Sequence, residues 1–213
     1  NLSCIEVDDP AYSNANWSGK KDAAASFNEA CNLKNTLIPD INFEEKLIAL
    51  KIDSGVPDGK VSTARISFVT ELNLNGASIS DLTGIQDFTA LTSLFCTNNL
   101  LTTINISQNL ALTYLNVNDN KLTTIETSNN PALEELYISD NKLTSLNLAK
   151  NLKLHDLFCM DNQLTTLDVS SNKELYDLRC SSNQLKILDL YKNRLLDLIY
   201  CSNNNLSALN LKS

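Results

Sequence analysis

Three carboxylates, Glu135, Asp156 and Asp177, stand 21 residues apart in the chain, with Glu134 and the single histidine, His155, beside two of them. Two carboxyls held across a cleft are the equipment of glycoside hydrolysis. These three share one position of a regular spacing, so they must lie side by side on one surface, with nothing to raise the pKa of one selectively. Solvated acids are therefore expected, not an acid–base pair. Six cysteines invite metal or redox readings, but Cys96, Cys159, Cys180 and Cys201 are single residues at multiples of the same step. Zinc sites want close thiolate pairs. No Ser-His-Asp arrangement, glycine-rich phosphate loop or metal quartet occurs, so neither catalytic residues nor a cofactor is expected. The residues that remain unexplained are aromatic: Phe95, Tyr137, Phe158 and Tyr200, with Arg179 among them, fall at the same position of the spacing.

The elements that must position these residues are repeats. The pattern restarts at Val69, Leu91, Leu112, Leu133, Leu154, Leu175 and Leu196. Each unit reads L-x-x-L-x-(C/V/I)-x-x-N-x-L, and a ninth-position column runs Asn99, Asn120, Asn141, Asn162, Asn183 and Asn204. The alternation L-x-L predicts a short strand with alternate residues inward. The ninth Asn is expected at the turn, accepting a left-handed backbone and satisfying turn amides. A second column, Asn109, Asn130, Asn151, Asn172 and Asn193, closes the other half of each unit. Between the columns, Leu122–Ile125 and Leu164–Val169 read as a second strand, since no helical period is present on that side. Cys96, Cys159, Cys180 and Cys201 exchange with Leu74, Val117 and Ile138 in an inward column, which predicts inert buried thiols.

These motifs resemble the leucine-rich repeat family. The 21-residue unit with a half-length echo is similar to the nested bacterial variety called IRREKO. The first unit, with Asp87-Phe88 where later units carry Asn, is more like the internalin type. The resemblance implies a solenoid of short parallel strands and turns with little helix, carrying an α-helical N-terminal cap. It is nearly silent on the ligand, because this fold serves many partners.

Residues 36–68 are expected to form that cap. Phe43, Leu47 and Leu50 line one face of a helix whose N-cap is Asp40 or Asn42, the latter making an approximate capping box with Glu45. Terminal repeats need such a cover. Residues 1–35 read as the tail of a preceding repeat block, similar to inter-block segments of secreted Bacteroidetes proteins, and the start at Asn1 reads as a piece of something longer. Residues 69–213 hold the seven repeats. Cys4 and Cys31 lie outside the inward column and bracket one cap-like segment. A disulfide between them is expected, and with it an oxidising setting, secreted or at the cell surface.

Composition agrees. There are 37 Leu and 29 Asn, no apolar run approaches a membrane span, and the net charge is −8. That excludes membrane insertion and argues against nucleic acid, which needs clustered Lys and Arg. The expected binding face is the first sheet. Its outward fifth column, together with Tyr114, Tyr176, Glu135, Asp156 and Asp177, forms an aromatic stripe with an acidic margin. Tyr137, Phe158, Arg179 and Tyr200 should span roughly 15 Å at the spacing of neighbouring strands. Aromatic and Arg side chains are enriched in binding hot spots. The stripe suits a protein ligand in recognition or adhesion, a polysaccharide, or simple ring-on-ring stabilisation of a spacer; all three stay open on the sequence.

Overall fold

The computed structural model describes residues 4–6, 10–17, 19, 26–28 and 34–211, in two compact units, Asn1–Asn35 and Thr36–Ser213. In the first, β1 (Cys4–Glu6) pairs in parallel with β2 (Ser26–Asn28), and α1 (Pro10–Trp17) lies between them in the chain. The expected Cys4–Cys31 bond falls outside the described residues.

The second unit opens with a cap. The strands β3 (Asn35–Leu37) and β4 (Lys60–Ser62) are hydrogen-bonded together and bracket α2 (Ile41–Ala49); α3 (Thr63–Ile66) follows. Asp40 is the N-cap of α2, its Oδ1 accepting from the backbone N–H groups of Asn42 and Phe43 at 3.0 and 3.1 Å. That settles the choice between Asp40 and Asn42, and removes the capping box expected of Asn42 with Glu45. Phe43 and Leu47 are fully buried, with the Phe43 ring 6.3 Å from that of Phe88 in the first repeat. Leu50, expected on the same face, follows the helix end and stays largely exposed. Gly84 shows how closely the cap approaches the first rung. At φ 104° an L side chain is disfavoured, and a Cβ there would meet the Leu37 carbonyl oxygen at 2.6 Å.

From β5 onward each rung contributes one three-residue strand. These are β5 (Glu71–Asn73), β6 (Ser93–Phe95), β7 (Tyr114–Asn116), β8 (Glu135–Tyr137), β9 (Asp156–Phe158), β10 (Asp177–Arg179) and β12 (Leu198–Tyr200), stacked in that order as one parallel sheet. The central residues pair in register as Leu72, Leu94, Leu115, Leu136, Leu157, Leu178 and Ile199, and all but the last are fully buried. The inward column predicted for cysteine also holds: Cys96, Cys159 and Cys180 are buried free thiols, and Cys201 is half-buried in the last rung. Burial pushes the Cys96 and Cys180 thiols up to about 12, so neither forms a thiolate near neutral pH.

The ninth-position Asn does more than occupy the turn. Asn120 Nδ2 donates to Cys96 O at 2.9 Å in the preceding rung and to Val117 O in its own, while its Oδ1 accepts from Leu101 N at 3.0 Å. The same set repeats at Asn141, Asn162 and Asn183. The left-handed backbone belongs instead to the residue before it: Asn98, Asp119, Asp140, Asp161, Ser182 and Asn203 have φ of 50–56°. Small polar side chains tolerate that region best, which frees the following Asn to point inward and bridge two rungs.

The returning side departs from expectation. Among the described residues a strand pair forms there only between β11 (Ile187–Asp189) and β13 (Ala208–Asn210), with one isolated bridge at Asn147–Asp168. The returning segments, paired or not, end in a side chain that accepts from the N–H two residues on, as in Asn105 to Ser107, Glu126 to Ser128, Asp168 to Ser170 and Asp189 to Tyr191, so that turn keeps each segment short. The two sides of the rung are therefore unequal.

The second Asn column is satisfied on one end only. Asn130 Nδ2 donates to Ile106 O and Asn109 O, but the Oδ1 atoms of Asn109, Asn130, Asn172 and Asn193 have no partner among the described residues. Asn151 is the exception, because Thr127 replaces the aliphatic residue of the column and its Oγ1 donates to Asn151 Oδ1 at 2.8 Å. Val169 holds the equivalent position relative to Asn193. Val169→Thr should therefore be tolerated within about 0.5 kcal/mol, its hydroxyl meeting a waiting acceptor. Val117→Thr, buried beside no such acceptor, should cost about 1–3 kcal/mol. Equal shifts of the two urea midpoints would sink this account.

Candidate functional site: the outward face of the parallel sheet

The outward residues of β6 to β10 and of β12 build one continuous ladder. Ring centroids lie 4.6 Å apart for Phe95–Tyr114, 5.3 Å for Tyr114–Tyr137 and 4.7 Å for Tyr137–Phe158, the last edge-to-face. The Arg179 guanidinium continues the row, 4.1 Å from the Phe158 ring centre and 5.0 Å from that of Tyr200. The fifth column alone would be interrupted at Asn116. Tyr114, two residues earlier on the same strand, fills that gap with its ring, and its hydroxyl accepts from Asn116 Nδ2 at 3.4 Å. Tyr114 stands outside the fifth column, and only its side-chain direction brings the ring into the line.

Every face carboxylate of the expected set is tied to a neighbour. Asp177 is buried and takes the Arg179 guanidinium on both oxygens, at 2.9–3.2 Å, which fixes the plane of the guanidinium over the Phe158 ring and raises the Arg179 pKa. Glu135 Oε2 accepts from the Tyr137 hydroxyl at 2.6 Å. Burial, then that bond, pushes the Tyr137 phenol above its ordinary value and keeps it neutral. Asp156 lies 3.3 Å from His155 Nδ1. Burial raises the Asp156 pKa, and Glu135 and Asp177 add to the rise against the pull of His155. Tyr176 leaves the ladder altogether: its hydroxyl donates to Asp197 at 2.9 Å, and its ring is 48% exposed.

Phe95, Tyr114, Tyr137 and Phe158 are half-buried by one another, whereas Tyr200 is 50% exposed at the end of the row. Asp197 and His155 belong to the face and were not among the expected site residues. Their signal was present in the second column of the unit, where Glu134, His155, Tyr176 and Asp197 follow at the repeat spacing. Among the described residues, no group of three His, Cys, Asp or Glu side chains is placed to hold a metal ion. No helix among them is long and apolar enough to cross a membrane.

A sheet built from one L-x-L strand per rung, closed by bridging Asn turns and capped by an amphipathic helix, defines a leucine-rich-repeat solenoid with an internalin-like fold. No protein-family model matches the chain. Over 75 residues, 35% of the chain and 8% of the relative, it is 37% identical to Internalin J of Listeria monocytogenes. The functional domain of that Listeria protein, described as including a cysteine ladder, superposes with a TM-score of 0.71 at 33% identity. That match covers 81% of this chain and 44% of that one, so the chain spans less than half of the domain it resembles. A leucine-rich-repeat protein of Leptospira interrogans superposes with a TM-score of 0.56 at 25% identity, over 62% of this chain and 40% of that one. A second Listeria internalin, InlF, shares the fold at a TM-score of 0.62 and 22% identity, over 82% of this chain and 63% of that one.

Proposed function

We propose that this chain is a non-catalytic module for protein recognition or adhesion, working outside the cell or on its surface through the sheet face from Phe95 to Tyr200. Its repeats are read as the nested 21-residue class. The observation that supports a protein ligand is the tiling of the ladder. Phe158 meets Tyr137 edge-to-face and carries the Arg179 guanidinium over its ring, which leaves little free ring plane in the middle of the row for a sugar to stack on. What the face offers is a preorganised aromatic–Arg ridge between carboxylates already oriented by Tyr137, His155 and Arg179, which suits a neutral-polar or basic protein surface. The likeness to internalins supports the same reading.

The test arrays extracellular protein domains beside glycans and compares wild type with Tyr137→Ala/Phe158→Ala and with Tyr200→Ala at the exposed end of the ladder. A protein signal that falls by about tenfold or more in both variants is expected, in line with loss of hot-spot side chains. Glycan signal lost in the same variants would select a polysaccharide module instead. Unchanged binding throughout, with a lowered melting temperature, would leave the ladder as a stabiliser of a spacer.

A further inference from the structure

A second surface lies away from the ladder, at the turns around the second Asn column. From the fourth full unit onward these turns become basic: Lys150, Lys153, Lys173, Lys192 and Arg194. The equivalent positions of the earlier units are neutral, Gln108, Leu110 and Ala111, then Asn129, Pro131 and Ala132. Rung architecture therefore does not require the cations, and they gather in a chain whose net charge is −8. Three adjoining hollows of about 420, 520 and 310 Å3 open there, and Lys192 lines all of them. The smallest is lined by Lys173, Tyr191, Lys192 and Arg194 alone. Neither Lys173, Lys192 nor Arg194 forms an ion pair among the described residues. Asp168 and Asp189 line the 420 Å3 hollow, each accepting one turn N–H while keeping its charge, and Glu174 lines the 520 Å3 one, whereas the 310 Å3 hollow has no carboxylate in its lining. Tyr191 is 61% exposed amid the cations. Unlike the tiled rings of the sheet face, it has no ring or guanidinium over it among the described residues.

We infer that this basic turn edge binds an anionic polysaccharide, a sugar ring resting on Tyr191 while Lys173, Lys192 and Arg194 receive its carboxylate or phosphate groups. An unpartnered ring beside charges separated by the rung spacing fits a chain of charged sugars better than an acidic peptide, which has no flat face to lay on the tyrosine. The edge is separate from the ladder, so the proposal stands or falls independently of the protein-recognition reading.

The experiment measures binding of the whole chain to immobilised polygalacturonate, a glycan phosphodiester polymer, neutral dextran and poly-glutamate. Wild type should bind one or both charged saccharide polymers and ignore dextran, with affinity falling as salt screens the contact. Whichever polymer binds tells a carboxylate source from a phosphate source. Lys173→Ala/Lys192→Ala/Arg194→Ala should weaken binding by about tenfold or more, and Tyr191→Ala several-fold. Tyr137→Ala/Phe158→Ala should leave it unchanged. Lys173, Tyr191, Lys192 and Arg194 lie on exposed turns, and an unchanged melting curve shows that their variants fold. Three outcomes overturn the proposal: no charged polymer binds, the triple variant binds like wild type, or poly-glutamate binds as well with no dependence on Tyr191.

Discussion

Asp40→Ala should loosen the helical cap from the first rung and cost about 3 kcal/mol in urea unfolding. One carboxylate accepts five hydrogen bonds. Oδ1 takes the N–H groups of Asn42 and Phe43 at the start of α2, and Oδ2 takes Ser80 N, Ser80 Oγ and Asp81 N from the first repeat, at 2.8–3.0 Å. The side chain is thus both a helix cap and a rivet between cap and solenoid. Asp40→Asn keeps an acceptor for the helix but presents an amide N–H to Ser80 and Asp81, so it should fall between wild type and alanine. Burial alone would raise the Asp40 pKa, but the bonds from Ser80, Phe43 and Asp81 outweigh it and hold the carboxyl below its ordinary value. A depressed folded pKa means the contribution is fully present above the ordinary carboxylate range and is lost as pH falls through the lower folded value. Wild type should therefore lose more stability between neutral and acidic pH than Asp40→Asn does. A midpoint for Asp40→Ala equal to that of wild type, or parallel acid losses in wild type and Asp40→Asn, would refute this account.

The contrast between Asp40 and its neighbour Glu44 shows what a sequence can disclose here. A helix start has a local signature, so Asp40 was among the expected caps. Glu44 looks like an ordinary solvent-facing acid of an amphipathic helix. It is nonetheless buried, and its two oxygens accept from Asp58 N and Gly59 N at 2.7 and 2.8 Å, holding the exit turn. Nothing in its spacing announces that, because the partners come from a loop whose path is set by Gly55 and Gly59 at positive φ. The rungs were far more legible, since every unit meets the same burial demand and the inward Leu column is printed once per repeat. The sheet face was half legible: period alone assigns Phe95, Tyr137, Phe158, Arg179 and Tyr200 to one line. The entry of Tyr114 into that line and the departure of Tyr176 depend on which neighbour each hydroxyl finds. The returning side misled because extended-looking Leu-Thr-Thr segments carry strand propensity, whereas side-chain acceptors turn the backbone within a few residues and leave only short segments to pair.

Asn141→Ala should be the more damaging lesion of the two asparagine columns, costing about 3 kcal/mol against about 1 kcal/mol for Asn130→Ala. Asn141 is 8% exposed and satisfied at both ends of its amide. Its Oδ1 accepts from Leu122 N at 2.9 Å, and its Nδ2 donates to Val117 O in the preceding rung and to Ile138 O and Ser139 O in its own. Alanine strands the buried Leu122 N–H of the neighbouring rung and takes one of two donors from Val117 O, which keeps Asn120 Nδ2, so the loss falls on the contact between rungs. Asn130 bridges rungs through its Nδ2 alone, and its Oδ1 is already without a partner; removing it takes away an unsatisfied acceptor along with two bonds. Asn141→Asp sharpens the distinction. A carboxylate can still accept from Leu122 N but turns its other oxygen on three carbonyls, so this variant should be worse than alanine at neutral pH and recover part of the loss once protonated in acid. In a linear array the stability of each rung is tied to its neighbours. A broken bridge at the middle of the stack should therefore let the rungs beyond it open separately, seen as faster amide exchange from Leu157 onward than before Leu115. Equal costs for Asn130→Ala and Asn141→Ala would show instead that the two columns are equivalent spacers, and that bridging between rungs is not what the ninth position contributes.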